Sequence, residues 1–143
     1  MRITLLILLL ALSACAGRPG GSTAAPETAP EAAPEPQNPA VIALLEEAER
    51  QQAAGRLDLA SSALERAIRI SPRDPVLRVR LAWLRIDQND PFQAKALARM
   101  AVVYARDPDI QADAWEVIAA AERAIGNQVE ATLAEQEAAR LRD

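Results

Sequence analysis

The chain has 143 residues, a formal net charge of −4, no histidine and a single cysteine, Cys15. That composition excludes an internal disulfide, a zinc cluster, a serine–histidine triad and an imidazole base. The acidic balance argues against nucleic acid as a partner, and the abundance of Ala, Leu, Arg and Glu beside only four aromatic residues is a helical composition.

Residues 1–14, MRITLLILLLALSA, set Arg2 before a run of ten residues, 3–12, that is apolar except for Thr4. The run is about half of the roughly 20 residues that span a bilayer. A charged start, a short apolar centre and small residues before a cut describe a secretory signal; the other reading is a buried N-terminal helix. Residues 15–38 follow. The stretch AGRPGGSTAAPETAPEAAPEPQNP contains six prolines and almost nothing large and apolar. Too little surface is available there to offset ordering, so a disordered tether is expected, reaching about 70 Å at roughly 3.1 Å per residue.

Residues 39–143 form the folded domain. In NPAVIALLEEAERQQAAG, Asn38 is placed to cap a helix that Pro39 begins, and Gly55 to end it. Val41, Leu44, Leu45 and Ala48 repeat at helical spacing, as do Leu57, Ala60, Leu64, Ala67 and Ile68 in the next segment. Each later segment repeats the plan of helix, tight turn, helix and then Pro. No strand is expected.

Self-comparison exposes a repeat. Gly55, Ala60, Leu64 and Ala67 become Asn89, Ala94, Ala98 and Ala101 at a shift of 34, then Gly126, Ala131, Glu135 and Ala138 at a further 37. Leu44, Arg78 and Trp115 each lie eleven residues before a turn position, and Arg-Asp-Pro occurs twice, ending at Pro75 and Pro108. Alanine suits positions where two helices approach closely. The expected fold is all-α, with six helices in three hairpins.

No catalytic constellation emerges. Glu46 lies four residues before Arg50 and Glu65 four before Arg69, the spacing of exposed helix-stabilising pairs rather than of an acid/base couple. GRPGG has no helix after it to receive an anion. Hence no enzyme, cofactor, metal site or small-molecule substrate is expected. Charge is uneven: six arginines against one Asp lie between Arg66 and Arg85, and nine acids against three arginines in residues 107–143.

Two resemblances sharpen this reading. LSAC, residues 12–15, resembles the bacterial lipobox, which implies cleavage before Cys15 and acylation of its thiol and amino group. Two or more acyl chains anchor a protein stably. Ala16, in place of the Asp of the enteric retention rule, implies the outer membrane, facing the periplasm. The 34-residue helix-turn-helix period resembles the tetratricopeptide repeat, with Arg78 where that family usually has a large apolar residue and Glu135 at another normally apolar site. A short solenoid is implied, its terminal helix wet on the outer side.

That family uses the first helix of each hairpin to line a groove for a peptide or a partner helix. The resemblance implies Ile42, Leu45, Glu49 and Gln52 there in the first copy, and Val76, Val79, Trp83, Ile86 and Asp87 in the second. In the third it implies Asp113, Glu116, Ala120 and Arg123. Leu77, Leu81 and Leu84 already give the middle helix one core face, so the stripe of Val76, Val79, Trp83 and Ile86 is either further core or a partner site anchored by Trp83.

The whole layout, with NPAVIALLEEAERQQAAGRLDLASSALERAIRISPRDP and RLAWLRIDQNDPFQAKALARMA, resembles the LpoP-type outer-membrane lipoproteins that activate class A penicillin-binding proteins. This implies a protein partner in peptidoglycan synthesis, and a membrane contact through Cys15. The alternative is a scaffold for another envelope complex, pilotin-like or an accessory of outer-membrane-protein assembly.

Overall fold

The computed structural model describes residues 38–143. They form six α-helices: α1 (Pro39–Ala53), α2 (Leu57–Ile70), α3 (Pro75–Asp87), α4 (Pro91–Tyr104), α5 (Pro108–Ala124) and α6 (Gln128–Arg142). The signal segment 1–14, the acylation site Cys15 and the tether 15–38 up to its last residue lie outside the described residues. Among the described residues there is no strand, and no helix is long and apolar enough to cross a membrane.

Two adjacent residues start most of these helices. Asn38-Pro39, Asp74-Pro75, Asp90-Pro91 and Asp107-Pro108 open α1, α3, α4 and α5. The Asn or Asp oxygen accepts a first-turn backbone N–H: Ala40 at 2.9 Å, Val76 at 2.9 Å, Gln93 at 3.1 Å and Asp109 at 2.9 Å. Proline then occupies the position where a missing N–H costs nothing.

The turns inside the three hairpins share one geometry. Gly55 (φ +70°), Asn89 (φ +58°) and Gly126 (φ +89°) are left-handed just beyond α1, α3 and α5. Each donates its N–H to the carbonyl three residues back, and the next residue donates to the one five back, at 2.8 to 3.1 Å. These are Schellman turns, which satisfy carbonyls that the helix end would otherwise orphan. Asn89 is the polar residue that tolerates this region most readily, so it replaces the glycine of the other two copies.

Packing follows the alanine register. Ala60 and Ala67 of α2, Ala94, Ala98 and Ala101 of α4, and Ala131 and Ala138 of α6 are all buried, letting the helices of each hairpin approach closely. Glu135 interrupts this pattern on α6, where it is exposed and pairs with Arg123. Two cores result. Val41, Leu44, Ala60 and Leu64 pack with Leu77, Leu81 and Leu84 of α3 in the first. In the second, Val79 and Ala82 of the same helix pack with Ala94, Ala98, Val117, Ile118 and Ala134, and Leu97 touches both cores.

Arg78 is buried although it carries a charge. Its guanidinium donates to the Asp74 carbonyl at 3.0 Å and to the Pro72 carbonyl, and lies 4.7 Å from the centre of the Tyr104 ring. Hydrogen bonds to the preceding loop and a cation–π contact thereby replace the apolar contacts expected at this position.

The α2–α3 seam is polar as well. Arg85 donates to Glu65 at 2.6 Å and to Gln88 at 2.8 Å, while Gln88 donates to Asp58 and accepts from Ser61. Glu65 therefore engages Arg85 across the seam instead of the expected Arg69, which is exposed on the outer side of α2. The expected Glu46–Arg50 pair is present at 3.8 Å.

Glu122 is buried on α5 between Lys95 of α4, at 3.2 Å, and Asn127 in the last turn, which donates to it at 2.9 Å. The Asn127 amide, and after it the Lys95 ammonium, hold its carboxyl below the usual carboxylate range against the opposing effect of burial.

Two predictions follow from this fold. Gly55 has open space around its absent side chain, with nothing within 4 Å, so Gly55→Ala isolates the backbone term. It should destabilise the domain by about 1–2 kcal/mol, whereas Asn89→Gly should raise the thermal midpoint slightly; thermal unfolding followed by circular dichroism measures both. Glu122→Ala leaves Lys95 and Asn127 without their acceptor and should cost about 1–3 kcal/mol in urea unfolding, and Glu122→Gln less. Because the Glu122 pKa is depressed on folding, its contribution is complete above about pH 4.5 and is lost as pH falls through the folded-state value. The gap between wild type and Glu122→Gln should therefore narrow on acidification.

Candidate functional site

The first helices of the hairpins are not evenly spaced. α3 packs directly on α5, but the backbones of α1 and α3 stay more than 8 Å apart between Cα atoms. Leu64 of α2 and Ala48 of α1 help line the space between them, and Glu49, Gln52, Arg80 and Trp83 complete a groove of about 280 Å³. Arg80 forms an ion pair with Glu49, and the Gln52 amide donates to Asp87 at 3.3 Å, so paired polar groups bridge the opening.

The helical period explains how α3 serves three directions at about 100° per residue. Leu77, Leu81 and Leu84 face the first core, and Val79, Ala82 and Ile86 the second. Val76, Arg80, Trp83 and Asp87 fall on the remaining arc, toward the groove. The stripe read from the sequence is thereby divided. Val79 is 7% exposed and Ile86 packs against the same core, whereas Trp83 is 38% exposed at the groove and Val76 is half-buried. Val79 and Ile86 thus belong to the core, and Trp83 and Val76 lie outside it.

Glu49, Gln52 and Trp83 are thus brought together. Leu45 is half-buried against the first core and Ile42 is exposed on α1. The residues of the third copy lie elsewhere: Arg142 of α6 pairs with Asp113 at 2.7 Å and with Glu116, and Arg123 pairs with Glu135. These bridges fasten α5 to α6. Arg80 was missed because it was read only as part of a basic run. It lies four residues after Val76 and three before Trp83, and that spacing was the available signal.

An aromatic side chain beneath a rim of both charge signs suits an apolar side chain flanked by polar backbone. Among the described residues no group of three or more His, Cys, Asp or Glu side chains is placed to hold a metal ion. A broader depression of about 810 Å³ runs between the α1–α2 and α3–α4 turns. Its Asp58, Arg85 and Gln88 are linked to one another in the α2–α3 seam, while the buried Arg85 Nε has no partner among the described residues.

Trp83→Ala should leave the helical circular dichroism spectrum intact and cost about 2–3 kcal/mol in urea unfolding, because the indole is 38% exposed and the covered part is lost. Cooperative unfolding of the whole domain on this change would assign Trp83 to the core instead.

A family model described as tetratricopeptide repeat matches residues 51–120. The globular C-terminal domain of LpoP from P. aeruginosa has a similar solved structure, with 43% sequence identity and a TM-score of 0.69. The match covers 71% of this chain and 96% of that one. No curated protein matches the chain. With this identity along nearly all of the LpoP domain, and the repeat architecture it shares, the chain belongs to the LpoP family of tetratricopeptide-repeat proteins.

Proposed function

We propose that this chain is an outer-membrane lipoprotein that faces the periplasm and binds and activates a class A penicillin-binding protein in peptidoglycan synthesis. The observation that carries the reading is the 43% identity over 96% of the LpoP domain. Two features agree with it. LSAC supplies a cysteine for acyl chains, and the repeat domain offers the groove at Trp83, Glu49 and Gln52 for a protein segment. The domain performs no chemistry of its own. It acts by mass action, favouring whichever conformation of the synthase it binds more tightly. Acyl chains on Cys15 confine it to the membrane surface, and the tether sets the distance it can search.

The test mixes full-length protein in detergent with a purified class A synthase and follows glycan polymerisation. Faster polymerisation and a measurable complex are expected, and their joint absence would overturn the reading. In the same system Cys15→Ser should still stimulate in solution, yet move from the membrane to the soluble periplasmic fraction on cell fractionation.

A further inference from the structure

Of the six helices, α4 is the only one without an acidic residue: PFQAKALARMAVVY. Its inner positions Ala94, Ala98 and Ala101 are buried, as the hairpin requires. Its outer face is apolar too. Phe92 is 65% exposed, Met100 45% and Val103 78%, spaced by eight and three residues so that they line one side. A broad apolar helix face is normally covered. Among the described residues the group over this stripe is the Lys95 ammonium, 6.0 Å from the centre of the Phe92 ring.

Arginines lie beside this stripe and on the neighbouring outer helix. Most exposed ion pairs of the domain lie on α1, in the α1–α3 groove, on α6 or in the α5–α6 seam. Arg99 of α4 and Arg66 and Arg69 of α2 are exposed and pair with no carboxylate among the described residues. The repeat shift of 34 sets Arg66 at the position of Met100 and Arg69 at that of Val103. The outer row of helices thus offers an apolar strip on α4 and arginines at the same level on α2.

We infer that this outer face is a docking surface for an acidic, amphipathic segment of the protein partner, its apolar side against Phe92, Met100 and Val103 and its carboxylates toward Arg66, Arg69 and Arg99. The assignment rests on the proposed function for the identity of that partner. It adds a second contact surface to the Trp83 groove. Charge complementarity selects the occupant, because unpaired arginines beside exposed apolar groups attract carboxylates and repel a basic segment.

The experiment measures binding of full-length protein to a purified class A synthase at low and at physiological salt. The double variant Phe92→Ser/Val103→Ser should weaken binding about tenfold or more, as loss of central apolar contacts does. Arg66→Glu/Arg69→Glu should weaken it similarly and flatten its salt dependence. Glu130→Gln, an exposed change on α6 away from both surfaces, should bind within about twofold of wild type, the variation expected outside the central contacts. Circular dichroism of each variant should match wild type, since all the substituted residues are exposed.

Outer-face variants that bind like wild type would overturn this assignment while leaving the proposed function standing. Concentration-dependent dimerisation abolished by Phe92→Ser/Val103→Ser would also overturn it, by making a second copy the occupant. A wild type that does not bind the synthase would overturn the proposed function, and the assignment with it.

Discussion

Burial of two faces of α3 is the constraint on which the domain depends. Leu77, Leu81 and Leu84 close the core with α1 and α2, and Val79 and Ala82 close the core with α4 and α5. Neither outer hairpin buries its apolar side alone, which is the general condition of a repeat stack. Emptying one such position, as in a Leu-to-Ala change, typically costs about 2–5 kcal/mol. At Leu77 or Leu84, both essentially inaccessible to water, the loss would also loosen the link between neighbouring hairpins. The remaining positions of α3 then have restricted roles. Arg78 must find its partners within the fold, in the preceding loop and on Tyr104, and only a narrow arc remains for Trp83 and Arg80.

The sequence made the backbone plan readable because local chemistry fixes it. Asn38-Pro39 started a helix where a side-chain oxygen and a missing N–H both fit the first turn, and the later Asp-Pro pairs do the same. Gly55 and Gly126 marked left-handed turns, and the repeat register brought Asn89 to the same role before its φ was known. Each signal spans only a few residues and requires no knowledge of neighbours. The partnership of Glu65 could not be read in that way. Arg69 and Arg85 both lie within plausible reach on paper, and the choice depends on how α2 and α3 settle against each other.

The site was legible to the same limit. The resemblance to the tetratricopeptide repeat put Glu49, Gln52 and Trp83 on one side, and the groove gathers all three. It could not separate Val79 from Trp83, which are four residues apart and thus only about 40° apart around the helix. What separates them is the position of α5, which covers one and leaves the other at the edge. Nor could it show that α6 folds back onto Asp113 and Glu116, because Arg142 lies 26 to 29 residues away in sequence.

The two surfaces beside α3 also differ in what a partner must displace. In the groove, Glu49 and Arg80 already satisfy each other, and Gln52 satisfies Asp87. Both members of the ion pair are well exposed, so separating them costs about 0–1 kcal/mol. The groove is therefore accessible, but its rim favours neither charge sign. A segment entering it would be selected chiefly by how well an apolar side chain fits against Trp83. The outer row differs because Arg66, Arg69 and Arg99 have no carboxylate pair to break among the described residues, and their field acts on an approaching partner before contact. Shape can thus discriminate on one side of the stack and charge on the other, an arrangement that one basic groove could not provide.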